Sequence, residues 1–158
     1  MANTQSMTTS FMGELMTATH NFGTAPVRAV TTADTFKAAL YLTSATINAA
    51  TTVYSSTGEV TGTGYTAGGV AVTNATAPIA TNSSATAGVA YWTPSASITY
   101  TTVTLSTAFD AVLIYNSTQS NKAVSVHTFG SQTITAGTFT LTMPSNTTST
   151  ALLRLSTT

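Results

Sequence analysis

Apolar and polar side chains alternate most clearly between Phe109 and Met143, where the pattern predicts three β-strands. Ala111 to Tyr115 is continuously apolar, which is typical of a short strand buried on both faces. Lys122 to Phe129 and Thr138 to Met143 alternate with a period of two, as strands with one buried face do. We therefore expect this stretch to form the central sheet, with the rest of the chain packed against it.

Two polar connections complete this predicted three-stranded meander. Asn116 to Asn121 is a polar tip, and Gly130 to Gln132 is a tight connection; both have lengths typical of hairpin loops. Within the second strand, the alternation places Val124 and Val126 on the same face. The pattern thus predicts that the chain reverses direction twice and that neighbouring strands pair in a regular ladder.

Shorter apolar runs predict the other strands. Thr35 to Thr43 alternates, with Phe36 and Leu40 on one face and Tyr41 on the other. Further strands are predicted at Thr51–Tyr54, Val70–Ala75, Gly88–Thr93, Ile98–Leu105 and Ala151–Leu155, with a loop at Pro78–Thr86 and a turn at Thr107–Ala108. Eight to ten short strands separated by turn signals predict an all-β fold, a single antiparallel β-sandwich of jelly-roll type.

The N-terminal stretch from Met7 to Asn21 is the one good candidate for a helix. Phe11, Leu15 and Met16 belong to apolar rows with three- and four-residue spacing. We expect residues 1–23 to form a short helix or arm and residues 24–158 to form the β-sandwich domain. Such a helix either caps the open end of the sandwich, which we favour slightly, or docks on a partner.

Charge is unusually scarce in this chain. It has four basic and four acidic side chains, so its formal net charge is zero, whereas a globular protein carries roughly a quarter charged residues. Threonine takes their place at roughly a quarter of the chain, and its β-branched side chain favours strands. Zero net charge favours self-association over life as a dilute monomer. The alternative is adaptation to salty surroundings through a polar surface.

The same composition argues against several classes of protein. Without a cluster of Lys or Arg, neither nucleic acid nor an anionic membrane surface is an expected partner. The chain has no cysteine, which excludes disulfides and thiolate metal sites. No apolar stretch is long enough for a transmembrane helix, and the N-terminus lacks the pattern of a signal peptide. We expect synthesis and folding in a cytoplasm.

Candidate catalytic groups do not form a recognisable set. His127, Asp110 and one of many serines could be drawn as a triad, but no spacing selects the serine and no G-x-S-x-G turn is present. Two histidines and four scattered carboxylates predict no metal site. We expect no enzyme, no catalytic residue and no cofactor; His127 is better explained as a structural residue of a sheet or an interface.

The glycine-rich segment from Gly58 to Gly69 contains a spacing that imitates a dinucleotide-binding turn, Gly62-x-Gly64-x-x-Ala67. That turn works only between a strand and a helix, whose N-terminus holds the pyrophosphate. Here the residues that follow read as a strand. The segment is therefore predicted to be an ordered surface loop in which glycines adopt positive φ and Tyr65 is the anchor.

Three stretches together resemble a family of small structural proteins of tailed-bacteriophage virions. They are TFKAALYLTSATI at residues 35–47, GEVTGTGYTAGG at 58–69 and AVLIYNSTQSNKAVSVHTFGS at 111–131. The resemblance spans most of the chain, with residues 73–107 the least distinctive. It implies a β-rich virion component without a particular chemical site, made in the bacterial host cytoplasm.

Two functions compete within that resemblance. The favoured one is a capsid decoration (cement) protein on the outer surface of the head, whose partners are the major capsid protein and itself, as a homotrimer or, less favoured, a dimer. The alternative is a tail or head-fibre module that binds host surface carbohydrate through loop aromatics such as Tyr65. The predicted assembly contacts are Phe11, Leu15, Met16, Gly64 and Tyr65, chosen from amphipathicity and loop length.

Overall fold

The computed structural model describes residues 3–8, 11, 15, 19–20, 22, 33–73, 78–81 and 89–156. These residues form eight strands, and every pairing between them is antiparallel. The strands are β1 (Ser6–Met7), β2 (Phe36–Leu42), β3 (Val70–Val72), β4 (Ile79–Thr81), β5 (Val89–Trp92), β6 (Ile98–Asn116), β7 (Lys122–Leu141) and β8 (Leu153–Ser156). One sheet has the order β1-β7-β6-β2-β3 and the other β4-β5-β8. The prediction of an all-β fold is confirmed.

A single long hairpin replaces the predicted meander. Strand β6 has 19 residues and β7 has 20, and they pair from Ile98↔Leu141 to Asn116↔Lys122. The predicted turns at Thr107–Ala108 and Gly130–Gln132 are therefore wrong, as is the prediction that all strands are short. Both segments fall at register shifts of the ladder, where extra residues bulge and bend the strand without reversing it.

Another bulge, near the tip of the hairpin, changes which way side chains face. Ile114 pairs with Ser125, whereas the next residue, Tyr115, pairs with Ala123, so Val124 is an extra residue on β7. Val124 consequently packs in one hydrophobic cluster and Val126 in the other. Their predicted shared face is wrong because a single inserted residue inverts the alternation beyond it.

The larger sheet is buried on both faces at β2 and the adjoining ends of β6 and β7, and β2 shows this most simply. Phe36 and Leu40 lie in the first hydrophobic cluster, which also contains Trp92, Phe109 and Val124. Tyr41 lies in the second cluster, with Leu113, Tyr115 and Val126, as the alternation predicts. Along β6, Val112 and Ile114 face the first cluster, and the predicted two-sided burial of Ala111–Tyr115 is confirmed. Loop residues such as Ala45, Ile47 and Tyr54 pack against the second cluster.

Aromatic rings join the two sheets. The ring of Trp92, at the end of β5, lies 6.2 Å from that of Phe36 on β2, and Phe22 contacts both, at 4.9 Å and 4.5 Å between centroids. Trp92 is 2% exposed and Phe36 fully buried. Large aromatic side chains contribute much of the apolar area that is buried in a core, so this contact holds β5 and its neighbours against the first cluster.

The remaining predicted elements have mixed outcomes. Strands β3, β5 and β8 lie within their predicted ranges or one residue beyond. Strand β4 lies inside the predicted Pro78–Thr86 loop, and the predicted strand Thr51–Tyr54 contributes only an isolated bridge, Val53↔Lys122. That segment instead lies over the second cluster, where Tyr54 stacks on Tyr115 with centroids 4.7 Å apart.

The predicted N-terminal helix is not seen as an element among the described residues. Met7 is not helical but pairs with Ser125 in β1, and the backbone is helical at Phe11 and Leu15. Met16 and most of the other residues of the predicted helix lie outside the described residues, as does the predicted boundary at residue 23. Phe11 is 2% exposed and belongs to the first cluster, so this part of the N-terminus packs into the β-fold.

Candidate functional site

The predicted surface loop, Gly58–Gly69, is organised by one buried carboxylate. Glu59 is 6% exposed and forms an isolated bridge with Tyr41 of β2, which brings the start of the loop against the larger sheet. The Tyr54 hydroxyl donates to Glu59 Oε2 at 2.6 Å, and the Tyr65 hydroxyl donates to Oε1 at 2.7 Å. The backbone N–H of Gly68 also donates to Oε1, at 2.7 Å. Three hydrogen bonds therefore tie Glu59, at the start of the loop, to Tyr65 and Gly68 further along it and to Tyr54 just before it.

A layer of tyrosines surrounds this carboxylate. The Tyr115 hydroxyl donates to the Gly68 carbonyl oxygen at 2.8 Å, and Tyr65 stacks on Tyr100 with centroids 5.9 Å apart. Burial raises the pKa of Tyr41 to about 12. Burial, followed by the hydrogen bond to Glu59, raises the pKa of Tyr54 and Tyr65 well above the ordinary value. These hydroxyls stay protonated and act as hydrogen-bond donors, not as acids.

Close backbone packing holds the exposed part of the loop. Thr63 forms an isolated bridge with Thr104 of β6, whose N–H donates to the Thr63 carbonyl at 2.9 Å. Gly64 has φ +78, and a Cβ at this position would overlap the carbonyl oxygen of Thr102. Since the next element is strand β3, the segment is not a dinucleotide-binding turn. The prediction of an ordered loop anchored by Tyr65 is confirmed.

The predicted contact residues fall in different environments. Gly64 is exposed, and Tyr65 is half-buried with its hydroxyl on Glu59. Phe11 and Leu15 line one small apolar cavity of about 80 Å³ beside Trp92. Met16 lies outside the described residues. The structure thus brings Gly64 and Tyr65 together in one loop and places Phe11 in the core; their role in assembly stays a prediction.

A second polar cluster, missed by sequence reasoning, holds the tip of the β6–β7 hairpin. Asn116 is fully buried; its Nδ2 donates to Asp34 Oδ2 at 2.8 Å and lies 3.0 Å from His20 Nδ1. Its Oδ1 accepts the N–H groups of Thr118 and Gln119, each at 3.1 Å. The side chain of Asn116 therefore shapes the tip and fastens it to the residues before β2.

The residues of the hypothetical triad are not assembled. Ser125 Oγ lies 2.9 Å from His127 Nε2, but Asp110 Oδ1 accepts a hydrogen bond from Asn3 Nδ2 at 2.6 Å. Ser125 is 1% exposed, so its hydroxyl is closed to a substrate. Burial lowers the pKa of His127 to about 4, so its imidazole is neutral at pH 7. Among the described residues, no group of three or more His, Asp or Glu could hold a metal ion.

His127 makes stability depend on pH in a defined window. Its pKa is about 4 in the fold and roughly 6.5 in the unfolded chain, so the unfolded state binds the extra proton as the pH falls. We expect stability from this residue to be complete above about pH 6.5 and to fall by about 3 kcal/mol towards pH 4. Urea unfolding of the natural chain and of His127→Gln across this range isolates the effect. Identical pH profiles for the two chains would contradict it.

Comparisons with known proteins found no matching family model, no matching curated protein and no matching solved structure. In the described part of the chain, no helix is long and apolar enough to cross a membrane.

Proposed function

We propose that this protein is a structural component of a tailed-bacteriophage virion, a capsid decoration protein on the outer surface of the head. In this proposal the two sheets form a jelly-roll-like sandwich that binds the major capsid protein and itself, as a homotrimer in preference to a dimer. The protein is made in the host cytoplasm and joins the head after the shell has assembled. Its function is mechanical and needs no cofactor.

The observation that carries the proposal is the loop held by Glu59. Its exposed residues, Thr61–Gly64, Thr66 and Ala67, carry no charge, while the carboxylate beneath them fixes the backbone through Tyr54, Tyr65 and Gly68. A loop that is already rigid loses little conformational entropy when it docks. A contact that is repeated many times over a large shell requires this small entropic cost of docking.

Charge supports the same function. With four acidic and four basic residues, the chain has no net charge, so copies can crowd onto a surface without long-range repulsion. A protein that binds only the assembled shell stabilises that shell by mass action. Many weak contacts between uncharged residues, repeated in each copy over the head, are enough to stabilise the shell.

Virion cryo-microscopy tests the proposal directly. We expect density for this fold on the outside of the head, at hundreds of copies by quantitative mass spectrometry, and earlier DNA release on heating when the protein is missing. Thr66→Arg, in the exposed loop, should lower occupancy, whereas Thr133→Arg, on the exposed side of β7, should not. Unchanged head stability in its absence would defeat the proposal.

The second candidate is a tail or head-fibre module that binds host surface carbohydrate. Tyr65, the loop aromatic predicted for this role, and the nearby Tyr54 both donate their hydroxyls to Glu59. A different surface, a groove beside β7, favours this candidate. Copy numbers of tens or fewer per virion, at the tail or on fibres, would support it over decoration.

A further inference from the structure

Three cavities run end to end along one side of the molecule. The first, of about 310 Å³, lies between β1, β7 and β8 and shares Gln5, His127 and Leu152 with the second, of about 210 Å³. The second shares Met143 and Pro144 with the third, of about 380 Å³. Together they form one extended groove, and single ligand sites commonly occupy about 300–1,000 Å³. We propose that this groove binds a neutral polysaccharide chain.

Polar atoms without partners mark both ends of the groove. Ser6 lines the first cavity and Asn146 the third. Ser6 Oγ and Asn146 Oδ1 are the two buried side-chain polar atoms that make no hydrogen bond within the described part of the chain. Native proteins rarely leave such atoms unpaired. Both residues border the same groove, so a polar occupant that reaches them would satisfy both atoms.

Two further side chains offer hydrogen-bonding capacity where the first and second cavities meet. His127 uses Nε2 for the Ser125 hydroxyl, and its Nδ1 has no hydrogen-bond partner among the described residues. Gln5 is exposed and accepts a long bond, 3.5 Å, from Thr128 through Oε1, which leaves its amide N–H groups for a ligand. Burial keeps the imidazole neutral, so it suits an uncharged hydroxyl better than an anion.

The middle cavity supplies an apolar wall between these polar ends. Phe129, Leu141, Met143 and Leu152 line it and are half-buried. A sugar ring has hydroxyls that both donate and accept hydrogen bonds, and it has C–H faces that pack on apolar and aromatic side chains. Alternation of polar and apolar groups along the groove matches a chain of such rings.

Charge and geometry decide between this ligand and others. Arg154 is the one charged side chain among the described lining residues, and its Nη1 already donates to the Ser149 carbonyl at 3.0 Å. β1 and β8, which border the first cavity, are edge strands of their sheets, so an extended peptide that pairs through its backbone is the competing occupant. The groups that converge on this groove are side chains: a hydroxyl, amides and an imidazole. A neutral glycan is the occupant that they fit.

This inference does not depend on the position of the protein in a virion, because a head protein and a fibre module could each carry such a groove. Its test uses the isolated full-length chain, so its failure and the failure of the decoration proposal are separate results. The probes are neutral hexasaccharides of glucose, mannose and N-acetylglucosamine, with an acidic hexasaccharide and a library of unstructured peptides for comparison.

We expect at least one neutral hexasaccharide to shift the NMR signals of Met143, Leu152 and Phe129. Gln5→Ala and Asn146→Ala, at opposite ends of the groove, should each weaken binding about fivefold, the effect of losing one ordinary hydrogen bond. Gln132→Ala, exposed on β7 and outside the lining residues, is the matched control and should bind unchanged.

Several results would overturn the proposal. They are no binding of any neutral hexasaccharide, signal shifts confined to other surfaces, or equal affinity in both groove variants and the control. Binding of the acidic hexasaccharide alone, abolished by Arg154→Gln, would show that the site selects charge. Binding of peptides alone would assign the groove to a protein partner. Amide spectra of each variant establish that the fold is intact before affinities are compared.

Discussion

Replacing Glu59 with leucine is expected to lower the free energy of unfolding by about 3–5 kcal/mol. The carboxylate accepts hydrogen bonds from Tyr54, Tyr65 and the N–H of Gly68, all of them 2.6–2.7 Å long. Leucine occupies similar space but leaves these donors in a buried site without an acceptor, and each unpaired donor costs roughly 1–3 kcal/mol. The loss is larger than that of an ordinary surface contact because Glu59 is 6% exposed.

Urea unfolding at pH 7 measures this effect. The control is Thr61→Leu, an exposed position two residues along the same loop, where we expect a change within about 0.5 kcal/mol. Tyr65→Phe removes one donor to Glu59 and the acceptor of the Leu40 N–H, and should cost about 1–2 kcal/mol. In the double variant with Glu59→Leu the two losses should add only in part, because both variants break the Tyr65–Glu59 contact and only Tyr65→Phe breaks the bond from Leu40. Wild-type stability of Glu59→Leu would show that the loop is held by other means.

Replacing Gly69 with alanine is expected to cost more than about 4 kcal/mol and to prevent folding in marginal conditions. Gly69 has φ +70, and a Cβ there would overlap the carbonyl oxygen of Ala38. That oxygen cannot move aside, because Ala38 pairs with Val70 on one side and Ile114 on the other, in the middle of the larger sheet. Backbone strain and a clash with a fixed strand therefore act together.

Gly130→Ala is the matched control for this experiment. Gly130 also lies among strand residues, but nothing stands within 4 Å of the position its Cβ would take. Alanine there should leave stability unchanged or raise it by about 0.5–1 kcal/mol through the entropy of the unfolded chain. Thermal unfolding of the soluble fraction compares the two variants. Equal melting temperatures for Gly69→Ala and Gly130→Ala would contradict the assigned close approach.

Wherever the β-ladder is regular, the two-residue period of the apolar side chains correctly predicted the face of the sheet on which each side chain lies. Phe36 and Leu40 on one side of β2 and Tyr41 on the other need no knowledge of the partner strand, since side chains alternate in any extended chain. The prediction failed at Val124 and Val126 because a bulge opposite Ile114 and Tyr115 inverts the alternation. Whether a residue bulges depends on its register with the partner strand, which the apolar pattern of one strand does not show.

The same limit explains the turns that were wrongly predicted. Gly130-Ser131-Gln132 has the composition of a hairpin loop, and the same residue types are tolerated at bulges in a long strand. The neighbouring β6 continues past this point and supplies pairing partners on both sides, Phe109 with Gln132 and Ala111 with Thr128. The chain continues as a strand here because β6 offers pairing partners, although the local sequence favours a turn.

At the candidate site, the sequence pointed to the loop but not to its centre. Gly64 and Tyr65 are conspicuous in a glycine-rich segment, whereas Glu59 looks like an ordinary surface charge. The sequence does contain a signal, because Glu59, one of four acidic residues in the chain, lies between Tyr54 and Tyr65. Its burial became visible only with the sheet that covers it, because the burial of a charge depends on residues distant in the sequence.

The sequence by itself determined the all-β class, the scarcity of charge and the faces of the regular strands, because β-branched content and two-residue periodicity are local properties. The tertiary structure alone decided the length of the β6–β7 hairpin, the bulges, the partners of Glu59 and the groove between β1, β7 and β8. Each of these depends on which distant segments meet. Pairing register and burial are properties of that meeting, so no local pattern contains them.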